Sequence, residues 1–393
     1  MTRRQSSAFL WLYAIAWAGG SIAYVPFLTI LLPVRVASMV GDQRVHWLGY
    51  MTFFGAVAAS VGGIGFGWLS DRTRTRRSWV VAGLIGTLVL ILCVPLAQGP
   101  MELLILIVFW QLALNMMLGP LCAWAADLVP ASQLGYLGGL LALSPALGSA
   151  AGALVTIPGL AGPNERLALV ACLVAACVLP ALIFGRPLVD HSALGLAPAL
   201  AARPRSIAVA MWLARFLVQI SEATLFAYLY YYFRSIDPSW DASWIAQLFG
   251  MVLCAAVPVA LLIGRWSDQR DRPILPLVCA ALTISAALLI MSLSKSSEQA
   301  TAAYVLFGLA TSTFLSLHSA QTLRVLRNAD RRGRDLGLFN LTNTAPSLIM
   351  PWLTVTIVPQ FGFSTLFMLL AALAVSAALI LLIVARRLRS VVG

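Results

Sequence analysis

The chain has 393 residues, of which 61% are hydrophobic and 10% charged, with a mean hydropathy of +0.91. A water-soluble domain carries about 45–50% apolar and ~25% charged residues, so this composition excludes a soluble globule and makes the bilayer the expected solvent. The formal charge of +12 does not indicate a nucleic-acid partner, because the basic residues fall between long apolar runs and not on one water-facing element.

A helix crosses the ~30 Å hydrocarbon layer with about 20 residues. Apolar runs of that length begin near residues 8, 48, 78, 101, 135, 165, 206, 244, 273, 300, 336 and 364, which predicts twelve spans. Strands of a membrane barrel would alternate strictly over ~10 residues, and these runs do not. Backbone groups in lipid must pair within their own segment, so the expected fold class is an all-α integral membrane protein. Arg3 and Arg4 ahead of the first run resemble a signal peptide, but the run to Pro33 is too long for one and shows no clear small-residue cleavage site. It is expected to be retained as the first span.

With the N-terminus inside, the inner segments hold twenty basic residues, including Arg72, Arg74, Arg76 and Arg77, and the outer segments hold Arg35, Arg44, Arg166, Arg234 and Lys295. The bias of Lys and Arg toward the cytoplasm then places both termini in the cytoplasm, with a multi-pass chain in the inner membrane.

In the first span, Trp11 and Tyr13 lie where an interfacial belt is expected, whereas Trp17 and Tyr24 are deep enough to stack on a substrate. The second span ends in the charged stretch Gly67–Trp79, GWLSDRTRTRRSW. The fourth span offers Gln111 and Asn115 at i and i+4, and Asp127 at its cytoplasmic end. Amides at that spacing suit sugar hydroxyls or tie helices together. Gly135, Gly138, Gly139, Gly148 and Gly152 line the fifth span and permit close helix approach. The segment 186–205, with Pro187, Pro198 and Pro204, reads as a cytoplasmic linker between a bundle over 1–185 and a second over 206–393.

The seventh span carries Arg215, Gln219 and Glu222 at i, i+4 and i+7, one helical face. An ionisable residue inside the membrane costs roughly 2.5–3.5 kcal/mol on insertion scales. Arg215 is therefore expected either to bind a substrate oxygen or carboxylate or to tune Glu222, and Glu222 to take a proton. The alternative is that neighbouring helices satisfy both. Their Cα atoms rise ~10 Å apart, so Gln219, water or substrate has to connect them. Asp127 and His318 are further proton-coupling candidates, with a gate or structural role for Asp127 and a hydrogen-bonded structural role for His318 as rivals. The eleventh span adds Asn340, Asn343 and Thr344.

The charged stretch is repeated. Gly67-Trp68-Leu69-Ser70-Asp71 and Gly264-Arg265-Trp266-Ser267-Asp268 both read G-x-x-S-D, 197 positions apart, and Asp127, Gly135 and Pro145 match Asp330, Gly337 and Pro346. The chain is thus two similar six-helix halves, an architecture of secondary carriers. The helix dipole disfavours an anion at the C-terminal end of a helix. Asp71 is therefore expected to face the start of the eleventh span near Leu336, and Asp268 the start of the fifth near Gly135. Asp71, Arg72 and Asp268 are the gating candidates; a loop that only sets topology is the rival reading.

These residues resemble the major facilitator superfamily, whose loop after the second span carries G-x-x-x-D-R-x-G-R-R. Gly67, Asp71 and Arg72 match it, while Arg74 stands for the second glycine and Thr75 for an arginine. SDRTRTRRSW is similar to the variant of the glycoside–pentoside–hexuronide and sucrose transporter branch, and so is AADLVPASQLGYLGGLLALSPALGSAAG. The arginine that sucrose carriers place just before the fourth-span aspartate is replaced by Cys122, Ala123 and Trp124. The resemblance implies two pseudo-symmetric bundles, alternating access and sugars or glycosides as substrates.

The six cysteines lie singly in apolar runs and form no CxxC pair, so neither a metal site nor a disulfide framework is expected. No nucleotide, cofactor or hydrolase motif is present, which argues against an enzyme. The expected function is proton-coupled symport of a small polar solute, binding at Arg215, Gln219, Asn115, Gln111, Asn343, Trp17 and Tyr24, by a monomer in the lipid bilayer. A proton-driven drug or metabolite exporter and a non-transporting sensor or scaffold are the alternatives.

Overall fold

A computed structural model describes residues 4–157, 159–185, 205–237, 239–240, 242–325 and 332–390. The expected linker, except Arg205, and the repeat residue Asp330 lie outside them. Among the described residues all regular structure is helical. In chain order the α-helices are α1 (Ser7–Pro26), α2 (Leu32–Val40), α3 (Arg44–Thr73), α4 (Arg76–Cys93), α5 (Pro100–Leu128), α6 (Leu134–Leu141) and α7 (Leu143–Val155). They continue with α8 (Pro163–Phe184), α9 (Arg205–Ile236), α10 (Ala242–Arg270), α11 (Leu275–Leu293), α12 (Ser297–Val325), α13 (Arg332–Thr344) and α14 (Pro346–Ser390).

Eleven helical stretches among the described residues are long and apolar enough to cross a membrane, and each meets one predicted span. The eleventh predicted span is α13 and the first turns of α14. The chain bends between them at Ala345, ahead of Pro346, whose ring removes a helical hydrogen bond. A second break lies inside α14 at Gly362, where φ is +74°, a conformation that glycine adopts at little cost.

Local chemistry starts several helices. Ser6 Oγ accepts from the Phe9 amide at 3.2 Å; Pro100 and Pro163 open α5 and α8, where a missing N–H costs nothing. The Gly162 amide donates to Glu165 Oε2 at 2.8 Å. In the turn after α9, Asp237 accepts from the amide and hydroxyl of Ser239 at 3.0 and 2.7 Å, which holds its carboxyl below the usual carboxylate range. The repeat extends to the backbone. Arg74 after α3 and Asp271 after α10, 197 positions apart, both have positive φ, 54° and 47°.

Contacts divide the chain into two compact units. Unit 1 comprises Met1–Pro130, Leu143–Leu200 and Leu326–Asn340; unit 2 comprises Ala131–Ala142, Ala201–Val325 and Leu341–Gly393. The fifth and eleventh predicted spans are therefore each shared: α6 belongs to unit 2 and α7 to unit 1, and most of α13 belongs to unit 1. In unit 1, α1 packs on α7 and α8, and α5 on α3 and α4. Buried Phe27 and Trp110 meet edge to face at 4.8 Å. In unit 2, α14 packs on α9 and α11, and α6 on α10 and α12, around the buried rings of Phe233, Phe314 and Phe367.

Candidate functional site

The polar row of the seventh span sits on α9 in unit 2. Arg215 Nη1 donates to the Leu315 carbonyl at 3.0 Å and to Ser319 Oγ at 2.9 Å, both on α12, and Nη2 donates to Asn343 Oδ1 at 3.2 Å. Gln219 Nε2 donates to Glu222 Oε2 at 2.7 Å. The other end of that amide, Gln219 Oε1, is buried and accepts no hydrogen bond among the described residues. Three residues at helical spacing thus form a line from a guanidinium held by protein oxygens, through an amide with a spare acceptor, to a carboxylate. Sequence reasoning brought Arg215, Gln219, Glu222 and Asn343 to this site and missed Ser319.

His318 is fully buried on α12. Its Nε2 lies 3.0 Å from the Met211 carbonyl, which only an N–H can satisfy, and its Nδ1 lies 3.2 Å from Thr322 Oγ1. The ring also stacks on Phe314 at 5.4 Å. Both nitrogens are engaged, and the ring ties α12 to α9.

The remaining candidates lie in unit 1. Gln111 and Asn115 are buried on α5, and Asn115 Nδ2 donates to the Gln111 carbonyl at 2.9 Å. A Cβ on Gly63 would sit 3.6 Å from Asn115 Oδ1 and 3.7 Å from Asn340 Nδ2, so these two amides share one patch of α3. Trp17 is half-buried on α1 and Tyr24 is 40% exposed. Between them, Ser21 and the Ser144 hydroxyl share a buried hydrogen bond of 2.8 Å. Asp127 accepts from Arg76 Nε at 3.1 Å.

Arg76 is the hub of a second polar arrangement. Its Nη2 lies 2.6 Å from Asp71 Oδ1 and its Nη1 donates to Ser70 Oγ at 2.6 Å. Asp71 also accepts the amides of Gly333 and Arg334, at 2.9 and 3.1 Å, in the first turn of α13. In unit 2, Asp268 accepts the amides of Gly135 and Tyr136, at 2.9 and 2.7 Å, at the start of α6. Each carboxylate therefore caps a helix N-terminus, where free N–H groups and the dipole favour an anion. Glycines let the backbones meet. A Cβ on Gly67 would lie 2.3 Å from the Gly333 carbonyl oxygen, and one on Gly264 would lie 2.2 Å from that of Gly135. Arg72 is exposed and lies over the Trp68 ring at 5.7 Å; the guanidinium on Asp71 is that of Arg76.

The family model of the Major Facilitator Superfamily matches residues 9–312 and 211–392, so the chain belongs to that superfamily. It is a multi-pass membrane transporter and not an enzyme. No curated protein matches it. Among solved structures, it is similar to the human organic anion transporter MFSD10, at 14% identity over 95% of this chain and 98% of that one, with a TM-score of 0.72. A bacterial homologue of the iron transporter ferroportin, in an outward-facing state, matches at 16% identity over 98% and 99%, with a TM-score of 0.67. The proton:xylose symporter XylE, bound to 6-bromo-6-deoxy-D-glucose, matches at 14% identity over 95% of each chain, with a TM-score of 0.70. At these identities the likeness is one of fold.

Proposed function

We propose that this transporter is a proton-coupled secondary carrier that takes up a small, neutral, hydroxyl-rich solute, with sugars or glycosides foremost. The observation that carries the reading is the α9 row. Gln219 donates to Glu222 and keeps a buried acceptor that has no donor among the described residues. Leaving such an atom unpaired costs about 1–3 kcal/mol, and a solute hydroxyl would relieve it. Arg215 already donates to three protein oxygens, which favours a neutral solute over an organic anion. Glu222 is the proton carrier: protonating it weakens the Gln219 bond and frees the amide to turn to the solute. Gln111, Asn115 and Asn343 are further solute-binding amides, with Trp17 and Tyr24 as stacking surfaces. His318 and Asp127 hold helices.

The carrier works by alternating access, as a monomer in the cytoplasmic membrane, with both termini in the cytoplasm as the basic loops favour. The bundles correspond to residues 1–185 and 206–393. Asp71 and Asp268, with Arg76 and Arg72 beside Asp71, form clasps that close the cytoplasmic side and must open once per cycle. The test is uptake by proteoliposomes under an imposed inward proton gradient, with labelled monosaccharides and glycosides. Accumulation that collapses with a protonophore supports the reading. Substrate retention that rises when the gradient is dissipated would identify an exporter instead.

A further inference from the structure

The two clasps share their carboxylate–amide bonds and differ in what reinforces them. The repeat sets Trp68 of α3 against Arg265 of α10, 197 positions apart, and the clasps set Tyr136 of α6 against Arg334 of α13, since each donates the second amide to its aspartate; the counterpart of Gly135 is thus Gly333 and not Gly337. Each clasp therefore owns one ring and one guanidinium, on exchanged partners. In unit 2 the two meet: Arg265 Cζ lies 4.8 Å from the centroid of the Tyr136 ring. In unit 1 both are engaged elsewhere. Arg334 donates through Nε and Nη2 to its neighbour Asp335 at 3.0 and 2.7 Å, and Trp68, 43% exposed, lies under Arg72 of its own helix. Unit 1 has Arg76 on Asp71 instead; the position 197 residues on from Arg76 is Pro273, which carries no charge.

We infer that Tyr136 and Arg265 are positioning residues of the unit 2 clasp, holding the Tyr136 amide on Asp268 through a ring–guanidinium contact. Tyr136 supplies both an amide and a ring, and Arg265 and Asp268 stand three residues apart on α10, one helical turn. Two contacts thus tie the same pair of helix ends. A guanidinium within about 6 Å of a ring centroid is attracted by the ring face and gives up little hydration to lie there. The ion pair of unit 1 runs from Arg76 of α4 to Asp71, so it holds the carboxylate and adds no contact to the α13 end. The inference rests on the carrier reading above, in which these clasps open and close.

Hydrogen exchange on the purified full-length protein, without substrate, tests it. Tyr136→Leu and Arg265→Gln should each speed deuterium uptake in a peptide spanning 131–142 by about two- to fivefold, the effect of one such contact. Tyr136→Phe, which keeps the ring and loses only the hydroxyl, should match the wild type. Trp68→Leu should leave a peptide spanning 332–340 unchanged. Arg265 is exposed, so Arg265→Gln folds even if Tyr136→Leu does not. Equal exchange in Arg265→Gln and wild type overturns the inference, and so does a Trp68→Leu effect as large as that of Arg265→Gln. Failure of wild-type uptake in proteoliposomes would strike the carrier reading alone, because the exchange measurement needs no transport.

Discussion

The carboxylate of Asp71 accepts the amide of Gly333, 262 positions along the chain, at 2.9 Å. Charge-assisted bonds of this kind are about twice as strong as neutral ones. Asp71 is 8% exposed and carries a second amide and a guanidinium. Asp71→Asn keeps the shape but turns an NH2 group toward N–H and guanidinium donors. The variant should slow transport about tenfold, the equivalent of 1.4 kcal/mol, and make cytoplasmic cysteine probes react faster. Unchanged probe accessibility would count against the clasp as a gate.

The glycine crossings predict a steric penalty. Gly67→Ala and Gly264→Ala would each bring a Cβ to within 2.3 and 2.2 Å of a carbonyl oxygen, whereas nothing lies within 4 Å of a Cβ on Gly65. Backbone cannot swing aside as a side chain can, so the first two should cost about 1–3 kcal/mol. Gly65→Ala should be silent. Thermal unfolding of the three purified variants decides this.

Glu222 and His318 should separate in their effects. Glu222→Gln is expected to abolish uptake driven by a proton gradient while solute exchange without a gradient persists. His318→Gln should lower stability by about 1–3 kcal/mol, because buried partners lose their bonds, yet keep the proton dependence. Exchange and gradient-driven uptake measured side by side check both.

Arg74 closes α3 with φ at 54°, a region that costs an L-residue roughly 1–2 kcal/mol. The superfamily pattern has glycine at this position, and the backbone supplies the reason. Arg74 is exposed, so Arg74→Gly should leave transport intact and raise the apparent Tm. Asp271→Gly should do so less, since aspartate tolerates that conformation better.

Much of this could be read along the chain. The spans were legible because hydropathy is a property of consecutive residues, and the helix starts that face Asp71 and Asp268 were legible to within a few residues because a helix C-terminal end disfavours an anion and a helix N-terminus favours it. Arg76 was one basic residue among four in its loop. Its place became visible only once α4 brought it within reach of both Asp71 and Asp127. A local signal did exist: its repeat equivalent is Pro273, so the arginine is not part of the shared pattern. The eleventh span is the one that the apolar stretches of the structure do not include, and Pro346 marked the place of its interruption. Arg215 stood out as a cation in an apolar span, but nothing in its neighbourhood in sequence showed that Leu315, Ser319 and Asn343 already engage it.

By itself the sequence determined that the chain lives in the bilayer as helices and that the two halves repeat. Burial of apolar runs and internal pairing of backbone groups follow from local composition. Only the tertiary structure decided which N–H reaches which carboxylate and which guanidinium lies over which ring. Those bonds depend on distances of about 3–5 Å between groups far apart along the chain, and no linear pattern encodes them.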